Sequence, residues 1–181
     1  MSKELDREAF PDFIRALAFA SRKHSNQRRK DADGSPYINH PIALVSVLVV
    51  EAQIEDPDVL CAALLHDTIE DTETTTEELT EIFGGAIASV VVEVTDDTRL
   101  PKAERKLRQV EHAAHLSPKA RLVKLADKIA NLRDVADSPP VDWSLERRQE
   151  YFDWAKQVVD QIPDPPPKLL SLFLAIYGRR P

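Results

Sequence analysis

The sequence predicts an all-α protein, and three observations lead there. Apolar residues recur at three- and four-residue steps between successive breakers. The 181 residues include only four glycines, and no segment sustains the alternation of a half-buried strand. Prolines and short polar caps punctuate the chain at helix-length intervals.

Each element follows in order. Phe10, Phe13, Leu17 and Ala20 give a first helix one apolar face through about residue 25. Asp33-Gly34-Ser35-Pro36 reads as a turn. Asn39-His40-Pro41 then opens a second helix with proline in its first turn, running through Leu44, Val47 and Leu48 to the Asp56-Pro57 boundary. From Pro57 the apolar run Val59 to Leu65 reads as the buried part of a third helix, continuing to Asp71. Thr75 and Glu78 have capping-box spacing, and Gly84-Gly85 stops that fourth helix. Residues 85–95 contain three consecutive valines that also suit a strand, but no second strand is available to pair with them, so a buried helix is expected.

A loop at 96–101 leads to a charged helix from Lys102 to about Leu116. Ser117-Pro118, a cap followed by a first-turn proline, starts a helix through Leu122, Leu125, Ile129 and Leu132. Pro139-Pro140 breaks it, and another helix runs from Trp143 to Ile162. A last one follows the proline-rich connector 163–167, through Leu169, Leu172, Phe173 and Ile176. The expectation is a single domain over residues 1–181 with about eight or nine helices.

Bulk composition narrows the function classes. A net charge of −7 gives no general electrostatic reason to bind nucleic acid or an anionic membrane, so neither is an expected partner. No apolar run reaches the ~18 residues of a membrane span. The charged N-terminal residues 1–8 lack the apolar core of a secretory signal. The one cysteine, Cys61, cannot form an intramolecular disulfide and lies among core residues. A soluble cytoplasmic protein is expected.

The most informative words are polar. His66-Asp67-Thr68-Ile69-Glu70-Asp71 follows the apolar run directly, and on a continuous helix Glu70 and Asp71 lie one turn beyond His66 and Asp67. Taken alone, the segment suits either a divalent-metal site or a solvated acidic helix end. His40 stands at a helix start, and Asp127 follows the apolar positions of Val123-Lys124-Leu125-Ala126, with Asn131 at i+4 on its face. Together His40, His66, Asp67 and Asp127 make a mixed imidazole and carboxylate set, which suits Mn²⁺, Fe²⁺ or Zn²⁺ better than Ca²⁺. From Phe13 to Lys30 there is no acidic residue but several basic ones, including Arg28, Arg29 and Lys30. That stretch fits a solvated basic face as well as an anion site. His112, His115, Trp143, Phe152 and Trp154 read as surface or packing residues.

Several of these words carry a family resemblance. A His, a His-Asp pair about 26 residues later and a distant Asp form the pattern of the HD phosphohydrolase superfamily. His24-Ser25-Asn26-Gln27-Arg28-Arg29-Lys30, Pro36-Tyr37-Ile38-Asn39-His40-Pro41, Ala63 through Thr72 and Val123 through Lys128 resemble the hydrolase domain of RelA/SpoT proteins. Val94-Thr95-Asp96-Asp97, Leu100-Pro101-Lys102 and Glu104-Arg105-Lys106 are similar to the stand-alone small alarmone hydrolases, the metazoan SpoT homolog among them. The match covers roughly residues 12–162.

The resemblance implies an HD-domain helical bundle. It implies hydrolysis of the 3′-pyrophosphate of guanosine tetra- or pentaphosphate with one divalent metal, Mn²⁺ first, Zn²⁺ or Fe²⁺ as alternatives. It assigns His40, His66, Asp67 and Asp127 to the metal and Glu70 and Asp71 to the attacking water. It assigns Arg29, Lys30, Lys102, Asn131, Arg147 and Tyr151 to the nucleotide. Degradation without synthesis is expected. Adenosine alarmones, the 2′-phosphate of NADPH, and a catalytically silent nucleotide-binding protein are the competing readings. Two positions depart from the pattern, Ala130 and Thr98, where relatives carry a larger residue and a lysine respectively.

Overall fold

The computed structural model describes residues 9–181, so the charged segment 1–8 lies outside it. Among the described residues the regular structure is helical throughout: α1 (Ala9–Lys23), α2 (Asn39–Ser46), α3 (Pro57–Leu65), α4 (Thr68–Asp71), α5 (Thr76–Phe83), α6 (Gly85–Val94), α7 (Lys102–Ala113), α8 (Pro118–Asp137), α9 (Leu145–Gln161) and α10 (Pro167–Tyr177). α2 widens into one π turn over Val47–Glu51, closed by the Ala52 amide on the Val47 carbonyl (2.9 Å). Every helix expected from periodicity is present. The helix expected over 57–71 is divided into α3 and α4.

Two helices form the centre. In α3 every residue from Val59 to Leu65 is buried, as a helix apolar all round requires. It packs on α1, α2, α6 and α8. α8 is longer, and it buries Val123, Leu125, Ala126, Ile129 and Leu132 together with Lys124, Asp127 and Lys128. A helix that buries apolar and charged residues side by side delivers chemistry to an interior.

The caps explain the boundaries. Asp56 accepts from the Asp58 (3.0 Å) and Val59 (3.4 Å) amides, with Pro57 in the first turn of α3. Ser117 caps α8 through the Ala120 amide (3.3 Å). Thr75 accepts from the Glu78 amide (3.2 Å), but the Glu78 carboxylate pairs with Lys23 (3.1 Å), so only half of a capping box forms. α9 starts two residues later than the sequence implied because Ser144 caps it through the Arg147 amide (3.2 Å). Gly84 takes φ +84° between α5 and α6, and the valine-rich segment is helical and half sunk in the core.

Between α1 and α2 the chain folds back on itself. A lone bridge joins Arg28 to Pro36; Arg29 donates its amide to the Ser35 carbonyl (2.8 Å) and Tyr37 to that of Gln27 (3.2 Å). Asp31 accepts from the Ser35 amide (3.0 Å), and Gly34 supplies φ +59° at the tip. This pinch holds Arg29 and Lys30 close to Tyr37 and the start of α2.

Candidate active site at the break between α3 and α4

Asp67 stands at φ −98°, ψ 0°, and it ends α3 instead of continuing it. Adjacent residues on a continuous helix point about 100° apart. The break instead lets His66 and Asp67 face one point. The buried Thr68 hydroxyl donates to the Leu65 carbonyl (2.7 Å), closing the bend.

His66 Nε2 lies 2.8 Å from Asp67 Oδ2 and 3.8 Å from Asp127 Oδ1. His40, carried in the first turn of α2, places Nε2 3.3 Å from Asp127 Oδ1 and 3.9 Å from Asp67 Oδ2. One ligand atom each from His40, His66 and Asp67 fits within 4.8 Å of the others. The hydrogen bonding suits an ion. His66 Nδ1 is 2.9 Å from the Ala63 carbonyl, so in the neutral ring, the form that binds a metal, Nδ1 carries the proton and Nε2 offers its lone pair. That Nε2 is buried and has no aligned hydrogen-bond partner. These three residues could therefore hold a divalent metal, with Asp127 in reach of both imidazoles.

The surroundings fix the charges. Burial alone would raise the Asp127 carboxyl, but Lys128 (Nζ to Oδ2, 3.2 Å) and His40 hold it well below the usual carboxylate range. Asn131 also donates to Asp127 Oδ1. Asp67 is likewise held low against its burial by His66 and His40. Burial pulls His66 down, and the Asp67 charge outweighs it, leaving the imidazole raised to about 9. Tyr37 donates its hydroxyl to Asp67 Oδ2, and burial followed by the Asp67 charge pushes its own ionisation upward.

Glu70 projects from α4 beside this set. The Asp96 amide donates to its Oε2 (3.1 Å) and Arg105 Nη1 to its Oε1 (3.3 Å). Desolvation and then the Asp96 charge raise its carboxyl to about 7, the poise of a group that takes and returns a proton near neutrality. Asp71, more exposed, is raised by desolvation and by Asp67.

A cavity of about 190 Å³ encloses the site, lined among others by His40, Asp67, Glu70, Asp127, Asn131 and Tyr151. Tyr151 also borders a cavity of about 350 Å³ with Lys102, Trp143 and Arg147, and one of about 250 Å³ with Arg29, Lys30 and Asn131. The other five residues assigned to the nucleotide thus line two cavities that share Tyr151. Arg29 is ion-paired with Asp134, and its guanidinium lies 5.6 Å from the Tyr37 ring centroid. Lys30 and Lys102 are exposed.

Sequence reading missed several participants. Trp143 borders both outer cavities beneath Arg147 (4.6 Å), and Trp154 borders the inner one beneath Lys128 (4.3 Å), so both line the site besides packing. Tyr37, Asp96, Arg105, Lys124 and Lys128 were also unassigned. For the two lysines a signal existed: both interrupt the apolar face of α8 at i+4 spacing. Phe152 is buried, and His112 and His115 are exposed. His24 is buried against Tyr37, outside the ligand cluster, and Ala130 lies in the core and borders none of these cavities.

Comparison with known proteins follows the same line. The family model described as "HD domain" matches residues 16–153. The chain belongs to the HD-domain family. Among HD-domain proteins it is similar to the guanosine-3′,5′-bis(diphosphate) 3′-pyrophosphohydrolase MESH1 of Danio rerio, 57% identical over 146 residues covering 81% of each chain. It is 58% identical to that of Homo sapiens, over 81% of this chain and 82% of the relative. A solved structure, described as a metazoan ortholog of SpoT that hydrolyzes ppGpp and plays a role in starvation responses, superposes with TM-score 0.90 at 46% identity, covering 93% of this chain and 95% of that one. The all-α HD architecture expected from the sequence is the one observed. No helix among the described residues is long and apolar enough to cross a membrane.

Proposed function

We propose that this HD-domain chain, acting as one catalytic unit, hydrolyses the 3′-pyrophosphate of guanosine tetra- and pentaphosphate, releasing pyrophosphate and GDP or GTP. The observation that carries the chemistry is the buried, unpartnered His66 Nε2 facing Asp67 and Asp127, with Glu70 alongside. The similarity to 3′-pyrophosphohydrolases over four-fifths of the chain carries the substrate.

In this reading His40, His66, Asp67 and Asp127 hold one divalent cation, Mn²⁺ suiting the mixed N and O donors, with Zn²⁺ or Fe²⁺ as alternatives. When bound, the ion supplies Lewis acidity toward water and a phosphoryl oxygen. Glu70 takes the proton of the attacking water, and Asp71, one residue on, holds that water by hydrogen bonding. The water oxygen joins the proximal phosphorus of the 3′-diphosphate, the bond to the ribose 3′ oxygen breaks in line, and that oxygen leaves with a proton. Arg29 stacks on the base, Tyr151 with Asn131 positions the ribose end, and Lys30, Lys102 and Arg147 meet the 5′ phosphates.

The test is direct. The purified protein with Mn²⁺ and guanosine tetraphosphate yields GDP and pyrophosphate, separated by chromatography. Turnover of adenosine alarmones or NADPH alone, or metal binding without turnover of any of them, contradicts the assignment.

A further inference from the structure

The inner cavity holds five carboxylates, Asp67, Glu70, Asp71, Asp96 and Asp127, against two lysines. A site for a diphosphate has to place its cations well. Lys128 is committed: its ammonium bonds Asp127 (3.2 Å) and the Gln109 amide oxygen (2.9 Å) and lies over the Trp154 ring. Lys124 is different. It is only 8% exposed, yet among the described residues its ammonium makes one hydrogen bond, to the Val94 carbonyl (2.9 Å), and no ion pair. A lysine ammonium has three donors, and burying them without an acceptor is costly.

The position of Lys124 gives the site a direction. Lys124, Asp127 and Asn131 follow one another along α8, spanning about 10 Å at 1.5 Å per residue. Asn131 lines the inner cavity with Tyr151 and borders the outer cavity of about 250 Å³. Lys124 stands at the other end, in the wall shared with a further cavity of about 540 Å³ bordered by α7.

We propose that Lys124 is a catalytic residue that binds the distal phosphate of the 3′-diphosphate, so that the nucleotide lies along α8 with its nucleoside at Asn131 and its terminal phosphate at Lys124. This rests on the functional reading above. The diphosphate is the group transferred to water: the water oxygen bonds to the proximal phosphorus, the 3′ oxygen leaves with a proton, and Lys124 holds the distal phosphate of the pyrophosphate that results. The two spare ammonium donors supply the hydrogen bonds.

The test compares two ligands on the metal-loaded protein, guanosine tetraphosphate and guanosine 5′-diphosphate 3′-phosphate, which lacks the distal phosphate. Lys124→Met keeps the apolar stem, and Lys124→Gln also keeps a donor for the Val94 carbonyl. Both variants should weaken guanosine tetraphosphate about ten-fold or more, the worth of a charge-assisted hydrogen bond. Both should leave the 3′-phosphate ligand and the metal content unchanged. Equal weakening of both ligands, or restoration of tetraphosphate affinity by Gln, would show that Lys124 only ties α8 to α6 and would overturn the proposal. If the wild type releases no pyrophosphate, the functional reading fails separately, and the same affinities are then read by direct titration.

Discussion

The inner ligand cluster and the outer rim of this site are built by different means. His40 and His66 are buried, one in the first turn of α2 and the other at the end of α3, which packs on α2; His66 owes its orientation to the backbone break and a single hydrogen bond to the Ala63 carbonyl. Arg29, Lys30, Lys102 and Arg147 come from a pinched loop and two helix ends, and the arginines rest on Asp134, Tyr37, Asp142 or Trp143. Burial makes the cluster intolerant, because an unpaired polar atom there has no water to turn to. In the proposed function the rim exchanges its own acidic partners for a nucleotide. A change in the cluster should therefore abolish the reaction, and a change at the rim should alter affinity.

The largest effect is expected at the cluster. His66→Ala removes the only lone pair that the Ala63 carbonyl orients, and both bound metal and turnover should be lost together; full turnover with stoichiometric metal would break the contrast. Next comes Tyr37→Phe, which leaves Asp67 without its hydroxyl donor. Partners of metal ligands typically matter 10–100-fold in affinity or activity, and a metal titration should show a weakening of about that size. At the rim, Arg29→Ala should raise KM about 5- to 100-fold, the range of a lost base-stacking contact, with metal content intact. A fall in metal content in that variant would erase the distinction between the two regions.

The smallest effect is on stability, and its sign can be worked out. In the metal-free protein Glu70 holds its proton up to about 7, whereas an unfolded glutamate releases it near 4.5, so stability falls as pH rises through that window. His66, raised to about 9, acts in the same sense: its contribution is complete below 6.5 and lost as pH rises through 9. The Glu70 share is on the order of 3 kcal/mol at most. Thermal unfolding of the chelated protein should show Tm falling between pH 5 and 9, with Glu70→Gln flattening the lower half and added Mn²⁺ raising Tm most at high pH.

What could be read from the sequence divides along the same boundary. Helices whose apolar residues recur at 3.6 were legible, as was the clustering of His40, His66, Asp67 and Asp127, because these residues sit in distinctive words. The break at Asp67 was not, since His66, Asp67 and Thr68 are only weak helix formers and the segment holds no Gly or Pro breaker; the turn is stabilised by the Thr68 hydroxyl. Tyr37 on Asp67, Arg105 on Glu70 and Arg29 on Asp134 join residues 30, 35 and 105 positions apart, so no local pattern encodes them. Trp143 and Trp154 were legible as aromatic but not as lining: the role of Trp154 depends on which face of α9 meets Lys106 and Lys128, and that of Trp143, just before α9, on the cavities it borders beneath Arg147.

The central claim is that Glu70 acts as the base beside a metal held by His40, His66, Asp67 and Asp127. The most direct measurement is turnover of guanosine tetraphosphate by wild type and Glu70→Gln at equal, independently measured metal content. The account predicts GDP and pyrophosphate from the wild type and a kcat lowered by about 10²–10⁴ in the variant, with metal retained. Equal rates at equal metal content would contradict it.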